Sequence, residues 1–232
     1  MGASISRAQV EEYKEMVKDR LSEDAIEYFY TKFMRAAPTG MMTPALFKKY
    51  IDDTGVYKDR QVQLALQRKE RGGNSSNFFK FTKSKEEGSG SDSSEDEEDA
   101  ALQSIGGDGY LHLFRGYDID GDGIITFKEF LIYHLAVLYN TEELFTVIFN
   151  SFDEDGDGYL SLGDIQSVIT ASTRYVGDYD VRDREVRRVI LEEARRLIGF
   201  LDIRKEGKVH MEDMRLVVQR YPQVLEKMKN LM

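Results

Sequence analysis

Two twelve-residue stretches of the chain carry acidic residues at alternating places. "DIDGDGIITFKE" (118–129) and "DEDGDGYLSLGD" (153–164) share Asp at the first, third and fifth places and Gly at the sixth. A hard cation such as Ca²⁺ requires oxygen ligands, and alternating carboxylates on a tight turn supply them. A solvated acidic turn is the alternative, but apolar residues at helical spacing flank both stretches. We therefore predict two calcium loops of the EF-hand type.

The loop pattern assigns a ligand to each of six places, through side chains at five of them and through a backbone carbonyl at the seventh place. The predicted ligands of the first loop are Asp118, Asp120, Asp122, the carbonyl of Ile124, Thr126 through a water, and Glu129. Those of the second loop are Asp153, Asp155, Asp157, the carbonyl of Tyr159, Ser161 and Asp164. No catalytic residue is predicted.

The two loops differ at the twelfth place, where Glu129 stands in one and Asp164 in the other. Asp is one methylene shorter than Glu, so bidentate ligation by Asp164 is difficult. A lower ligand number disfavours Ca²⁺ relative to the smaller, octahedral Mg²⁺. We predict that the 118–129 loop is the stronger calcium site and that the 153–164 loop binds Ca²⁺ more weakly or holds Mg²⁺.

Two further copies of the pattern have lost their ligands. "DIRKEGKVHMED" (202–213) keeps Asp202, Gly207 and an apolar residue at the eighth place, but Arg204 stands where the metal needs an oxygen. "RAAPTGMMTPAL" (35–46) keeps Gly40 and an apolar residue two places later, without any acidic residue. We predict four helix–loop–helix units in two pairs, of which only the middle two units bind metal.

The remainder of the chain indicates helices. Val10, Tyr13, Val17 and Leu21 recur on one helical face, and Ser6 and Gln9 form a candidate capping box before them. No long alternating strand pattern competes, so the predicted fold class is all-α. The predicted segments are an N-terminal arm and helix (1–21), a degenerate EF-hand (22–67), a charged insert (68–104), two metal-binding EF-hands (105–139 and 140–176), and a degenerate EF-hand with a C-terminal helix (177–232).

Composition excludes several classes of protein. The formal net charge of −10 argues against general affinity for nucleic acid, which needs a basic surface. There is no cysteine for disulfides or thiolate zinc sites, and no apolar run of transmembrane length. The three histidines are scattered and no phosphate-binding lysine loop is present, so we do not expect an enzyme.

The insert has opposite charges in its two halves. Residues 68–85 hold six basic residues and one acidic residue, whereas residues 86–99 hold eight acidic residues and no basic one. Such a segment lacks the apolar periodicity of a core, so we predict that it is disordered. Three serines of its acidic half have an acidic residue three places later and are candidate phosphorylation sites, namely Ser89, Ser93 and Ser94.

The N-terminal "MGASIS" fits the pattern for N-myristoylation of Gly2. A single myristoyl chain gives marginal attachment, so stable anchoring needs a second signal. Lys80, Lys83 and Lys85, beside three phenylalanines, are the best candidates. We predict a cytoplasmic protein that associates reversibly with anionic membrane surfaces.

With these features the chain resembles the neuronal calcium sensor (recoverin-like) family. The likeness is carried by the disabled first unit, "FMRAAPTGMMTPALFKKY", by the two acidic loops in order, and by "MGASIS". It implies that calcium opens an apolar groove that binds a helix of a target protein. Five aromatic residues are candidates for this groove or for an ordinary core, namely Tyr28, Phe29, Phe33, Phe47 and Tyr50.

Three functions fit this sequence. The first is a calcium sensor that regulates a partner. The second is a passive Ca²⁺/Mg²⁺ buffer. The third is a fixed regulatory subunit of a phosphatase or kinase, since calcineurin B-like proteins also resemble this plan.

Overall fold

The computed structural model describes residues 5–18, 20–54, 110–176 and 179–232. The insert predicted at 68–104, the candidate lipidation site Gly2, and the candidate phosphorylation sites Ser89, Ser93 and Ser94 lie outside the described residues, as do Lys80, Lys83 and Lys85.

Helices dominate the described part of the chain. They are α1 (Arg7–Met16), α2 (Glu23–Ala36), α3 (Pro44–Thr54), α4 (Leu111–Tyr117), α5 (Phe127–Tyr139), α6 (Glu143–Phe152), α7 (Leu162–Val176), α8 (Arg184–Leu201), α9 (Met211–Arg220) and α10 (Gln223–Lys229). Four short strands lie between them: β1 (Met41–Met42), β2 (Ile125–Thr126), β3 (Tyr159–Ser161) and β4 (Lys208–His210).

Each short strand lies at the end of one loop and pairs with the strand of a second loop. β1 is antiparallel to β2, with Met42 opposite Ile125, and β3 is antiparallel to β4, with Leu160 opposite Val209. All four of these residues are the apolar eighth-place residues of their loops. The prediction of four units in two pairs is confirmed: the first unit pairs with the second, and the third with the fourth.

Local sequence sets the ends of the helices. α1 begins after Ser6, whose hydroxyl accepts from the Gln9 amide at 3.3 Å while Gln9 Oε1 accepts from the Ser6 amide at 3.1 Å. The predicted capping box is therefore confirmed. α3 begins at Pro44, a residue suited to the first helical turn because it has no amide proton to leave unpaired.

Aromatic rings fill the core of the N-terminal pair. Phe33 packs on Phe127 and Phe130, with ring centroids 5.6 and 5.3 Å apart, and Phe47 packs on Phe114 at 5.6 Å. Of the five aromatic residues that are candidates for a groove, three are buried in this core (Phe33, Phe47 and Tyr50), whereas Tyr28 is exposed. Ordinary core packing is thus the role of those three in this structure.

No helix among the described residues is long and apolar enough to cross a membrane.

Candidate metal centres

The first-place aspartates of the two acidic loops and of the degenerate 202–213 loop organise the backbone in the same way. Asp118 Oδ2 accepts from the Gly123 amide at 2.9 Å, Asp153 Oδ2 from the Gly158 amide at 3.0 Å, and Asp202 Oδ2 from the Gly207 amide at 2.8 Å. Hydrogen bonds from backbone N–H groups to such a carboxylate stabilise a tight turn of the chain around it.

The sixth-place glycines have left-handed backbone conformations in all four loops. The φ values are +79° at Gly40, +83° at Gly123, +81° at Gly158 and +79° at Gly207. A side chain with a Cβ is strained in this region, so glycine is required there. The shared conformation supports the alignment of 35–46 with the other loops, although 35–46 has no acidic residue.

In the first acidic loop, carboxylate oxygens of Asp118, Asp120 and Glu129 lie within 4.8 Å of one another. Asp118 and Glu129 are each only 7% exposed. The predicted ligand Asp122 is outside this group of three, and its Oδ1 accepts from the Ile124 amide at 2.8 Å. The loop thus brings together its first, third and twelfth places.

In the second acidic loop, the group of carboxylate oxygens within 4.8 Å comes from Asp153, Asp155 and Asp157. Asp164 is buried but outside this group. The loop therefore brings together its first, third and fifth places, without the twelfth. This difference from the first loop accords with the shorter side chain of Asp164.

The two twelfth-place carboxylates nevertheless make matching hydrogen bonds. Glu129 accepts from the Ile119 amide at 3.0 Å and from the Thr126 amide at 2.9 Å. Asp164 accepts from the Glu154 amide at 3.1 Å and from the Ser161 amide at 2.7 Å. Each of the two carboxylates therefore bridges the backbone amides at the second and ninth places of its loop.

The ninth-place hydroxyls, predicted as ligands, also cap the helices that leave the loops. Thr126 Oγ1 accepts from the Glu129 amide at 3.4 Å and donates to Glu129 Oε2 at 2.7 Å. Ser161 Oγ accepts from the Asp164 amide at 3.2 Å. The remaining predicted ligands, the carbonyls of Ile124 and Tyr159, follow the sixth-place glycines directly.

Crowded acidic groups favour a cation in both loops. Burial raises the pKa of Asp118, and the nearby Glu129 and Asp122 charges raise it further, whereas amide hydrogen bonds lower it. Asp153 behaves alike: burial raises its pKa, as do Asp164 and Asp157. Partly desolvated carboxylates that repel one another are stabilised when a bound divalent ion neutralises them. The donor set consists of oxygens only, which fits Ca²⁺ or Mg²⁺.

In the 202–213 loop, a protein cation occupies the position opposite the twelfth-place carboxylate. The Arg204 guanidinium contacts Asp213 Oδ1 with Nη2 at 2.9 Å and Nε at 3.0 Å, and Asp213 is buried. Among the described residues no group of three acidic side chains converges there. This arrangement agrees with the prediction that the loop has lost its metal.

Comparison with known proteins supports the EF-hand interpretation of the two acidic loops. A family described as an EF-hand domain pair matches residues 109–136 and 132–166. These residues are an EF-hand domain pair. They comprise the two consecutive units with acidic loops, which the structure joins through β-strands to different partner units.

Three curated relatives extend the similarity. Recoverin of Homo sapiens is 28% identical over 132 residues, and calcineurin B type 2 of Homo sapiens is 30% identical over 105 residues. A calcium-binding mitochondrial carrier protein of Dictyostelium discoideum is 34% identical over 82 residues.

The matches cover 51%, 44% and 35% of this chain, respectively, and 66%, 57% and 10% of the relatives. The chain therefore spans less than two thirds of the length of the relatives it matches. The EF-hand pair and the acidic clusters together point to calcium binding, in a chain that resembles the neuronal calcium sensor family.

Two residues close to the loops were missed by the sequence interpretation. Arg115 and Asn150 each stand three places before the first Asp of an acidic loop. A basic residue on the largely buried α4, directly before an acidic loop, was the available signal.

Proposed function

We propose that this protein is a calcium sensor that binds Ca²⁺ in the 118–129 and 153–164 loops and changes conformation to regulate a target protein. The observation that carries the proposal is the convergence of carboxylate oxygens in one loop of each β-joined pair. In sensor EF-hands, metal binding reorients the flanking helices and exposes an apolar surface to a partner helix.

The proposal divides metal between the loops by ligand reach. Glu129 lies with Asp118 and Asp120, and the 118–129 loop is the stronger calcium site. Asp164 is outside the group of oxygens formed by Asp153, Asp155 and Asp157, and the 153–164 loop is weaker for Ca²⁺ or holds Mg²⁺ at rest. Sensor function requires only that at least one loop bind Ca²⁺ at the concentrations that a calcium signal reaches.

Capture of binding partners at two calcium levels tests the sensor function. The tagged full chain and its Glu129→Gln variant are incubated with cell lysate in Ca²⁺ or in a calcium chelator, with Mg²⁺ throughout. We expect a partner that is retained by the wild-type chain in Ca²⁺ and lost in chelator, and lost from the variant in both. Equal retention of one phosphatase or kinase in both conditions would identify a fixed regulatory subunit instead.

The alternative of a fixed regulatory subunit is favoured by the similarity to calcineurin B type 2. Calorimetry combined with the same capture experiment distinguishes a passive buffer from a sensor and from a fixed regulatory subunit. A buffer would bind calcium in calorimetry but would retain no calcium-dependent partner. None of the three functions is enzymatic.

We further propose reversible membrane association through a myristoyl group on Gly2, with Lys80, Lys83 and Lys85 as the electrostatic second signal. The support is the "MGASIS" pattern and the position of these lysines beside Phe78, Phe79 and Phe81. Sedimentation of the myristoylated chain with anionic liposomes tests it. We expect calcium- and salt-dependent binding, whereas an unmodified Gly2 in mass spectrometry of the native protein would refute it.

A further inference from the structure

The two acidic loops are brought together by α4 and α6, the helices that lead into them. Gly116 of α4 is buried against α6, and a Cβ built on it would lie 2.2 Å from Ser151 Oγ. A side chain at position 116 would therefore require Ser151 Oγ to move, and its Cβ would also lie 3.3 Å from the Val147 carbonyl oxygen. The last turn of each helix ends at the first Asp of its loop, so this contact joins the starts of both loops.

Each helix sends a side chain toward the other loop from an equivalent position. Asn150 of α6 donates from Nδ2 to the Ile119 carbonyl at 3.2 Å, inside the 118–129 loop. Arg115 of α4 makes a long hydrogen bond from Nη2 to the Ser151 carbonyl at 3.5 Å, next to the 153–164 loop. Both side chains stand three places before the first Asp of their own loops.

Arg115 is a positive charge beside a loop that must accept a cation. Burial lowers its pKa, whereas the charges of Glu154, Asp164 and Asp153 raise it. The contact of Nη2 with the Ser151 carbonyl places the guanidinium beside the start of the 153–164 loop. Its Nε is buried without a hydrogen-bond partner among the described residues. The guanidinium is therefore held near these acidic groups by packing and charge and not by an ion pair of close geometry.

Asn150 acts on the 118–129 loop through Ile119, the residue that holds the predicted ligand Glu129. The carbonyl of Ile119 accepts from Asn150, and the amide of the same residue donates to Glu129 Oε1 at 3.0 Å. Through Asn150, α6 thereby fixes the position of Ile119, and the Ile119 amide in turn positions the Glu129 carboxylate.

The β-ladders do not connect the two acidic loops. β2 of the 118–129 loop pairs with β1, and β3 of the 153–164 loop pairs with β4, and both partner loops lack a converged acidic group among the described residues. The helices of the 118–129 unit that pack on α6, namely α4 and α5, therefore connect the metal loops, and only α4 and α6 join the starts of both loops directly.

We propose that Arg115 sets the metal affinity of the 153–164 loop according to the occupancy of the 118–129 loop, while Asn150 positions Ile119 for the reciprocal effect. Arg115 is a positioning residue that contacts no metal. The inference rests on the proposed binding of metal in both loops.

The proposed direction of the coupling starts from the position of Asp118, which caps α4 directly after the turn that carries Arg115. In the proposed coupling, ligation of Asp118 shifts this turn and moves the guanidinium away from the 153–164 loop. Its repulsion of a second cation then falls, so filling of the first loop strengthens binding in the second. Coupling of this kind is reciprocal.

Three glycine amides allow each loop to be followed separately by NMR. Gly123 and Gly158 each donate to the first-place Asp of a metal loop, and Gly207 makes the same bond in the loop closed by Arg204. The labelled full chain is titrated with Ca²⁺ in chelator buffers. The resonance of Gly207 serves as the internal reference.

The charge of Arg115 is tested by Arg115→Gln, with Arg115→Lys as the variant that keeps it. Arg188→Gln is the matched control, because it makes the same change in net charge on the exposed face of α8. We expect Arg115→Gln to raise the affinity reported by Gly158 by about tenfold, the order expected for removal of one half-buried positive charge near a divalent ion. Arg115→Lys and Arg188→Gln should change it by less than about threefold. An Arg115→Gln affinity equal to that of Arg188→Gln would overturn the proposal.

Coupling is tested by emptying the first loop with Glu129→Gln. In the wild-type background this substitution should weaken calcium binding at Gly158 severalfold, and in Arg115→Gln/Asn150→Ala it should have no effect on that site. Equal effects in both backgrounds would overturn the coupling. If neither Gly123 nor Gly158 responds to Ca²⁺ in the wild-type chain, the proposed function itself fails. Unchanged amide dispersion in each variant shows that the fold is retained.

Discussion

Glu129 and Asp164 hold the twelfth places of their loops and differ by one methylene group. Both span from the second to the ninth place through hydrogen bonds to backbone amides. Only Glu129 also lies within 4.8 Å of the acidic oxygens at the first and third places. Among the predicted carboxylate ligands, the length of the twelfth-place side chain is the difference in residue type between the two loops.

Lengthening Asp164 therefore tests the division of calcium between the loops. Asp164→Glu should strengthen calcium binding by the 153–164 loop by about tenfold, or about 1.4 kcal/mol, and weaken competition by Mg²⁺. Calorimetry with and without Mg²⁺ measures both effects. Asp213→Glu is the matched control, since it makes the same change at the twelfth place of the loop occupied by Arg204, and it should add no calcium site. If Asp164→Glu changed neither quantity, the argument from side-chain length would be wrong.

His134 gives the N-terminal pair a dependence on pH. Its ring lies 4.9 Å from the ring of Phe29 and 4.3 Å from that of Phe130, between centroids, and Nδ1 is 2.7 Å from the Phe130 carbonyl. Burial lowers the pKa of His134 to about 4, opposed by the hydrogen bond to Phe130 and assisted by the charge of Lys32. The unfolded chain, with an ordinary histidine pKa near about 6.5, binds the proton first.

Neutral His134 thus supports the fold fully above a pH of about 6.5, and that support is lost as the pH falls toward about 4. The wild-type free energy of unfolding should drop between about pH 7 and about pH 5 by about 2 kcal/mol more than that of His134→Phe. Urea unfolding in the presence of a calcium chelator measures the difference. Parallel pH profiles for the two proteins would show that His134 is protonated equally well in the folded state.

The sequence predicted the residues whose role depends on local spacing. Acidic residues at alternating places, the sixth-place glycines and the twelfth-place carboxylates belong to single loops, so their geometry is set within twelve residues. Arg115 and Asn150 act on loops that begin 38 and 32 places away from them, respectively, counted to Asp153 and Asp118. Their function depends on a helix contact that periodicity does not specify, and so they were missed.

At the level of elements, the loops have kept their geometry where the metal ligands are gone. Gly40 and Gly207 have the same left-handed conformation as Gly123 and Gly158, and their loops supply the strands that pair with the metal loops. Pairing of the first unit with the second, and of the third with the fourth, followed from the apolar eighth places. The close contact of α4 with α6 did not, because one buried glycine in a seven-residue helix gives no distinctive pattern.

Gly116 tests that contact. Gly116→Ala places a methyl group against Ser151 Oγ, whose hydroxyl also donates to the Val147 carbonyl at 2.8 Å. The substitution should lower the free energy of unfolding by about 1–3 kcal/mol through overpacking. Ser151→Ala removes the obstructing oxygen, so Gly116→Ala/Ser151→Ala should recover most of the loss. Thermal or urea unfolding measures all three variants.

Gly199 provides the control for helix propensity. It lies within α8 and a Cβ there meets nothing within 4 Å. Gly199→Ala should therefore stabilise the protein by up to about 1 kcal/mol, since it removes only the flexibility of glycine in a helix. A loss at Gly199 similar to that at Gly116 would show that the cost at position 116 is not caused by contact with α6.

At the scale of the whole molecule, each β-joined pair contains one loop with converged carboxylates and one loop without, among the residues that the structure describes. In the C-terminal pair, the loop without converged carboxylates contains the ion pair between Arg204 and Asp213, and in the N-terminal pair, the corresponding loop has no acidic residue. Metal binding therefore needs to reorganise only one unit in each pair. Each pair in the described chain thus combines one unit with a candidate metal loop and one unit without.

Removal of metal should accordingly weaken both pairs. A ligand that binds only the folded state at about a hundred times its dissociation constant adds about 2.7 kcal/mol to the free energy of unfolding. Two filled loops should thus raise it by about 5 kcal/mol relative to chelator, with no more than two calcium ions bound per chain. Urea unfolding and calorimetry measure the two quantities. Glu129→Gln should remove one ion and about half of the stabilisation, because the 153–164 loop still binds its ion. A third ion in the wild-type chain would mean that Arg204 does not exclude metal from the 202–213 loop, and Arg204→Gln would then leave the stoichiometry at three.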